Sequence, residues 1–444
     1  MLKNYIKIAW RNIVKNSFYS LVNIIGLSAG IAFTILIAAY VWSELQVNRD
    51  LKNPDMQYVL QSKWKDPNLG NTLTTLGPLA KELKDRYPDL VANYYRWDGI
   101  TSNISKGDKV FREGIQICDS TMLNMYGFTL KHGNPETAFE GPYSVVITTD
   151  KAIKFFGKTD VVGQTLTIEN FSGTKHDFII TGVMNKPSRN SATWVNDDNN
   201  NQFYISVNSL SYFGRNMNWP NQYILGYIEL RKGVKPGDLE KPIQYLLKQN
   251  AAPGVAENLT TYLVPLNEYY LSAANGLVKK MLYALSAIAF FILLMAVINF
   301  VNMSISRSAT RMREIGIRKV LGGLKKQLIV QFLTESIILV LFATVFALVI
   351  FLLTKDVFSA VLDKQIPALT CFPVWFLVFP LLLIVFVGIV AGIYPAFVLS
   401  SLKSVESLKG KLTSVKENVL LRKSLVAFQF GTATIVFIGA IIIS

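Results

Sequence analysis

Five windows of this chain are long enough and apolar enough to cross a lipid bilayer: residues 18–42, 281–303, 328–353, 374–399 and 425–444. A helix needs roughly 20 mostly apolar residues to span about 30 Å of hydrocarbon. One such window can be a buried helix of a soluble protein. Five of them, in a chain of 444 residues that is 51% hydrophobic, exclude that class. The first window is too long for the apolar core of a cleaved signal. The "VWSEL" that follows it offers no small-x-small cleavage site, so it reads as a retained anchor.

The formal charge of +15 has a location. Residues 43–280 carry 26 basic and 24 acidic side chains, and the rest of the chain carries 19 and 6. The excess therefore lies beside the apolar windows and not on a folded basic face, which argues against nucleic acid as a partner. Lys3, Lys7, Arg11 and Lys15 precede the first window. Arg307, Arg311, Arg313, Arg318, Lys319, Lys325 and Lys326, against Glu314 alone, separate the second window from the third. Lys403, Lys409, Lys411, Lys416, Arg422 and Lys423 outnumber Glu406 and Glu417 between the fourth and fifth. In the remaining short loop Lys355 and Lys364 cancel Asp356 and Asp363.

Positive charge marks the cytoplasmic side of short loops. The expected layout follows: a cytoplasmic amphipathic lead-in helix (1–17), spans at 18–42 and 281–303 around an exported domain (43–280), and a cytoplasmic connector (304–327). A third span (328–353), an outer loop (354–373), a fourth span (374–399), a cytoplasmic linker (400–424) and the start of a fifth span (425–444) complete it. In the lead-in helix the four cations recur at every fourth position, and Leu2, Ile6, Ala9 and Ile13 form a second stripe. Such a helix suits the interface of anionic lipid headgroups. The fifth window, with a basic lead-in like that of the first, predicts the front portion of a tandem repeat.

The exported region alternates short β-rich runs with amphipathic helical runs. Strands are expected at 143–148, 164–170, 177–184, 202–207, 223–230 and 259–266, and helices at 76–87, 150–157 and 237–249. The polar stretch 186–202 is expected to be a loop. The fold class is thus an α-helical transmembrane bundle with a large α+β extracytoplasmic domain inserted between spans one and two.

Catalytic motifs are lacking in the sequence. "AIKFFGKT" (152–159) imitates a phosphate loop, but Ala152 replaces the first glycine, and Phe155 and Phe156 occupy positions where backbone amides would wrap a phosphate. Gly157 reads instead as a helix C-cap. Cys118 and Cys371, with His132 and His176, form no metal-ligand spacing, so no metal, cofactor or enzymatic activity is expected of the chain. Within the spans three polar residues stand out. Glu335 either holds the helix bundle or reaches interfacial water, because a carboxyl in lipid costs a few kcal/mol. Asn299 and Asn302 either bond across helices or simply pack.

"RMREIGIRKVLGG" (311–323) lies between the second and third windows. Gly316 and the Gly322–Gly323 pair allow turns, and Ile315, Ile317, Val320 and Leu321 give the short segment an apolar side. Glu314 is spaced to pair with Arg318 at i,i+4. A basic connector that only sets topology would not need an apolar face. A knob gripped by a cytoplasmic partner would.

Four stretches carry a family resemblance: "NYIKIAWRNIVKNSFYSLVNIIGLSAGI" (4–31), "SVVITTDKAIKFFGKTDVVGQTLTIEN" with "DFIITGVMNKPSRNS" (144–191), "RSATRMREIGIRKVLGGLKKQLIVQFLTES" (307–336) and "GIVAGIYPAFVLSSLKSVESLKGK" (388–411). Together they resemble the MacB/FtsX-like family of ABC-transporter permeases, in its tandem eight-span branch. The match is weakest over 187–260. The resemblance implies a bacterial inner-membrane subunit acting with a pair of cytoplasmic ABC ATPase subunits, which hydrolyse the ATP, and with a second permease half or an identical copy. A periplasmic adaptor and membrane lipids complete the implied partners. It implies mechanotransmission for export, efflux or envelope substrate handling. The coupling contact then falls on Arg311, Arg313, Glu314, Ile315, Gly316, Ile317, Arg318, Lys319 and Leu321. The alternative is a transmembrane sensor that relays to a cell-wall hydrolase or sensor kinase without transport. A channel or secondary carrier is disfavoured, since the spans carry few polar residues and no broken-helix pair.

Overall fold

The computed structural model describes residues 2–66, 68, 70–195, 201–310, 317, 320, 321, 324–362, 364, 366–401, 424, 426–431, 433, 434 and 438. They fall into two compact units, Gln46–Lys279 and Met1–Leu45 with Lys280–Ser444.

The Gln46–Lys279 unit is built on ten strands: β1 Gln57–Trp64, β2 Val91–Lys106, β3 Lys109–Cys118, β4 Leu130–Gly133, β5 Ser144–Thr148, β6 Thr165–Glu169, β7 Lys175–Met184, β8 Phe203–Ser206, β9 Leu225–Leu230 and β10 Leu259–Pro265. Their order is β10-β1-β9-β2-β3-β8-β5-β7-β4. β6 lies off this path and pairs with both β7 and β2. That double pairing closes a ring through β2, β3, β8, β5, β7 and β6. The six runs read as strands from sequence are β5 to β10, and the expected helices are Leu79–Arg86, Thr149–Phe156 and Glu240–Asn250.

Side chains alternate across a strand, and here the alternation sorts one strand into two cores. Val145 and Ile147 of β5, Phe203 and Ile205 of β8, and Ile115 and Ile117 of β3 join the cluster of the ring, with Phe155 from the Thr149–Phe156 helix. Their neighbours Val146, Tyr204 and Cys118 face an aromatic-rich core with Tyr95, Trp97, Tyr126 and Tyr227. β1 and β9 divide likewise between that core and a third one, where Leu60, Ile228 and Leu230 meet Leu79, Leu83, Ile243 and Leu247 of two helices.

In the other unit a lead-in helix, Leu2–Lys15, runs into a first long helix, Ser17–Leu45. Second, third and fourth long helices follow at Leu266–Thr310, Lys325–Leu362 and Val374–Ser401. Ser17–Leu45, Gly276–Ser304 and Lys325–Leu362 are long and apolar enough to cross a membrane by length and composition, and Val374–Val390 is a shorter apolar run. Two limits differ from the sequence reading. The second long helix begins at Leu266, well before its apolar window. The third runs on to Leu362, because "TKDVFSAVL" contains no helix breaker.

Small residues set the helix spacing. A methyl built on Gly30 would stand 2.5 Å from the Ala296 Cβ, so the first and second helices touch backbone to side chain there. Thr34 Oγ1 also lies 3.3 Å from the Ala289 carbonyl across the same seam. On the fourth helix Gly388 meets the Ile337 backbone and Gly392 meets Leu333 and Ser336 of the third. Gly26–Gly30 and Gly388–Gly392 are both glycine pairs four apart, the spacing that lets helix backbones approach in lipid.

Candidate functional site

The connector between the second and third long helices is the candidate site. Thr310 ends one helix and Lys325 begins the next. Between them Ile317 and Val320 are helical, and the Leu321 amide donates to the Ile317 carbonyl at 3.0 Å, which closes one helical turn. Positions i, i+3, i+4 and i+7 share a helix face. Ile317, Val320 and Leu321 occupy the first three of those positions, and all are exposed, Leu321 at 80%; Leu324, just before the third long helix, is exposed as well. Arg311, Arg313, Glu314, Ile315, Gly316, Arg318 and Lys319 lie outside the described residues, and the expected Glu314–Arg318 pair lies outside them too. Most of the 425–444 window is likewise outside; residues 426–431 are helical.

Glu335 sits ten positions after the start of the third helix and is buried. Asn12 of the lead-in helix donates to its Oε1, and Gln331, also buried, donates to the same oxygen at 3.4 Å. The carboxyl thus faces protein. Trp10 and Phe342 extend the contact, with ring centroids 5.9 Å apart. This docking divides the apolar side of the lead-in helix. Ala9 is buried and Ile13 packs on the bundle core, while Ile6, Trp10 and Val14, each four apart, remain exposed. Asn299 lies against Gly26, where an added methyl would come within 3.6 Å of its Nδ2. Asn302 Oδ1 is buried without a partner among the described residues.

Sequence reasoning missed a second polar contact, at the far end of the third helix. Glu44, 2% exposed near the end of the first long helix, receives Lys364 Nζ at 3.0 Å. The same ammonium donates to Tyr40 Oη at 3.1 Å. Counting net charge made Lys364 one of four loop charges that cancel. The signal lay in Tyr40 and Glu44, one helical turn apart.

Among the described residues of the Gln46–Lys279 unit, the motifs that invited a catalytic reading resolve into structural ones. Thr149–Phe156 is a helix that ends at Gly157, whose φ of 76° and amide bond to the Ile153 carbonyl make it the left-handed cap. The phosphate-loop lookalike is therefore a helix end. Asp98 is buried in β2 with its Oδ2 3.6 Å from Arg215, and burial raises its carboxyl above the ordinary carboxylate range despite that cation. Burial likewise pushes the Cys118 thiol up, which leaves it inert, and raises Tyr269 to about 12. Among the described residues no group of His, Cys, Asp and Glu could hold a metal ion.

Residues 20–246 match the MacB-like periplasmic core domain, and residues 286–404 match the FtsX-like permease C-terminal domain. The macrolide export ATP-binding/permease protein MacB of Bdellovibrio bacteriovorus is 24% identical over 267 residues, which cover 60% of this chain and 38% of that protein. The chain thus spans well under half of that relative. An uncharacterised ABC transporter permease of Methanocaldococcus jannaschii is 24% identical over 323 residues, 71% of this chain and 75% of its own length. Among solved structures, the periplasmic region of MacB from Actinobacillus actinomycetemcomitans aligns over 51% of this chain and 95% of that one, with 13% identity and a TM-score of 0.37. With one domain match covering half of the chain and the second covering the helices on either side of the connector, this chain belongs to the MacB/FtsX-like family of ABC-transporter permeases, membrane proteins with a periplasmic core domain.

Proposed function

We propose that this permease converts the motion of a cytoplasmic ATPase pair into motion of its extracytoplasmic domain, in export, efflux or envelope substrate handling at a bacterial inner membrane. The single observation that carries the proposal is the exposed apolar face of Ile317, Val320 and Leu321 on a helical turn between two long helices. Leaving such a cluster in water is unfavourable by about 25 cal/mol per Å² of apolar area, so it favours a covering partner. The basic residues flanking the turn favour a cytoplasmic partner by the positive-inside rule. A second permease half, or a second copy, would complete the membrane assembly. The exposed Ile6, Trp10 and Val14 stripe beside the lead-in cations fits the inner lipid interface.

The test is Ile317→Asp together with Leu321→Asp in the full chain. Pull-down of the ATPase from membranes should fall at least about tenfold, as charges enter a desolvated contact, while membrane insertion is unchanged. Undiminished pull-down would refute the assignment. Purified chain alone should hydrolyse ATP no faster than background.

A further inference from the structure

The chain enters the Gln46–Lys279 unit just after the first long helix and leaves it along the second. One buried residue ties both connections to the sheet. Asn48 is 1% exposed and adopts a left-handed backbone with φ 71°. Its Nδ2 donates to the Leu266 carbonyl at 2.7 Å, at the start of the departing helix, and to Ser191 Oγ at 3.0 Å. Its Oδ1 accepts from the Ser191 amide, and its own amide donates to the Arg189 carbonyl at 3.3 Å. A single side chain thereby joins the entering chain, the departing helix and the 189–194 turn.

The same turn is fastened to the strands on its other side. Tyr227 of β9 donates to the Ser191 carbonyl at 3.0 Å. Gln116 of β3 donates to the Ala192 carbonyl at 2.9 Å and accepts from Tyr95 of β2 at 2.9 Å. Asn190 Oδ1 accepts from the amides of Ala192 and Thr193, which holds the turn's shape. Arg189 lies 4.9 Å from the ring centroids of both Trp194 and Tyr270, the latter on the departing helix. Apolar packing would hold these segments together as well. A satisfied polar network adds direction, because each bond fixes one atom against another and resists sliding. The left-handed backbone at a non-glycine residue is a cost that the network offsets.

We infer that Asn48 is a positioning residue: it locks the entering chain, the departing helix and the 189–194 turn into one stiff joint, so that displacement of the two connections reaches β2, β3 and β9 undiminished. This rests on the force-transmission reading above. Asn48→Gly is the main variant, since glycine keeps the left-handed backbone and loses only the side-chain bonds. Asn48→Asp retains the acceptor and loses both donations.

The full chain is assembled with its ATPase in lipid nanodiscs, in a Cys371→Ser background, with spin labels at Ser272 on the departing helix and Asp108 in the β2–β3 turn. Hydrogen exchange at the Ser191 amide should speed up about tenfold in Asn48→Gly, the factor expected of one lost hydrogen bond, with Asn48→Asp between it and wild type. The label distance should be narrow and nucleotide-independent in wild type. In Asn48→Gly it should broaden and shift on ATP trapping, with ATPase turnover unchanged. Unchanged exchange and distances in Asn48→Gly, or a wild-type distance that itself moves with ATP, would overturn the joint. Broadening that is identical with and without ATP would support the joint as a clamp and overturn the force-transmission reading instead.

Discussion

Gly30 and Gly26 lie one turn apart on the first long helix, yet the structure assigns them opposite tolerance. A methyl on Gly30 would stand 2.5 Å from the Ala296 Cβ. Carbon atoms in contact sit about 3.5–4.0 Å apart, so the helices must part by about 1 Å. Overpacking of this kind costs about 1–3 kcal/mol. Helix propensity works the other way, since alanine is favoured over glycine by about 1 kcal/mol. Gly30→Ala is therefore expected to lose up to about 2 kcal/mol. A methyl on Gly26 comes only to 3.6 Å from Asn299 Nδ2, an ordinary contact, so Gly26→Ala should be neutral or stabilising by up to about 1 kcal/mol. The propensity gain is common to both, and the difference between them isolates the clash. Equilibrium unfolding of the full chain in mixed micelles measures it. Gly30→Ala combined with Ala296→Gly removes the carbon it strikes and should recover most of the loss. If the two alanine variants agree within about 0.5 kcal/mol, the helix seam is placed wrongly.

Glu335→Leu leaves the Asn12 and Gln331 amides without this buried acceptor. That costs about 1–3 kcal/mol, and the lead-in helix should become sensitive to protease at Lys7 and Arg11. Glu335→Gln keeps an acceptor oxygen and should protect the helix nearly as well as wild type. Asp98 follows a pH rule of definite sign. Its folded carboxyl is raised by burial, so its favourable contribution is complete below the ordinary carboxylate value and is lost as pH rises through the raised folded value. Asp98→Asn should thus raise the melting temperature of the extracytoplasmic domain at pH 7, and the gain should shrink as pH falls toward 4, as scanning calorimetry of that domain within the full chain would record.

The parts of the fold legible in sequence are those where one physical signal dominates. The membrane helices are apolar all round, and β5 and β8 are short runs of large apolar residues, buried on both faces. β2 was not legible for the opposite reason. "VANYYRWDGITSNISK" mixes Asn, Asp, Gly and Ser into sixteen residues, because Arg96 and Asp98 are buried in ion pairs and the strand feeds three cores with a register shift after Val91. Arg96 and Ser102 find their partners remote in sequence, in Asp119 and the Glu169 carbonyl. No local pattern announces such partners. The apolar side of Ile317, Val320 and Leu321 was readable because an apolar stripe is a local property, and all three are exposed. Asn48 was not, since nothing near it in sequence names Leu266 or Ser191.

The third long helix shows what such contacts would do for the force transmission proposed above. At 38 residues it is about 57 Å long, far more than a bilayer's hydrocarbon thickness. Its seam with the fourth helix gives close approach at Gly388 and Gly392, and directional polar bonds between helices add resistance to axial sliding. Asn12 grips Glu335, about 15 Å from the end nearest the coupling turn, and Glu44 grips Lys364 just beyond the opposite end. Both grips come from one continuous piece of chain, because the Asn16 and Ser20 amides carry the helical bonds from the lead-in helix into the first long helix. Two rods pinned at both ends move together or not at all. A push at Ile317 would then reach the first long helix as well as the third, and the first long helix is the one that runs on toward Asn48. Each grip alone leaves a pivot, so loss of either should allow rotation about the other, whereas loss of both should free the rods to slide.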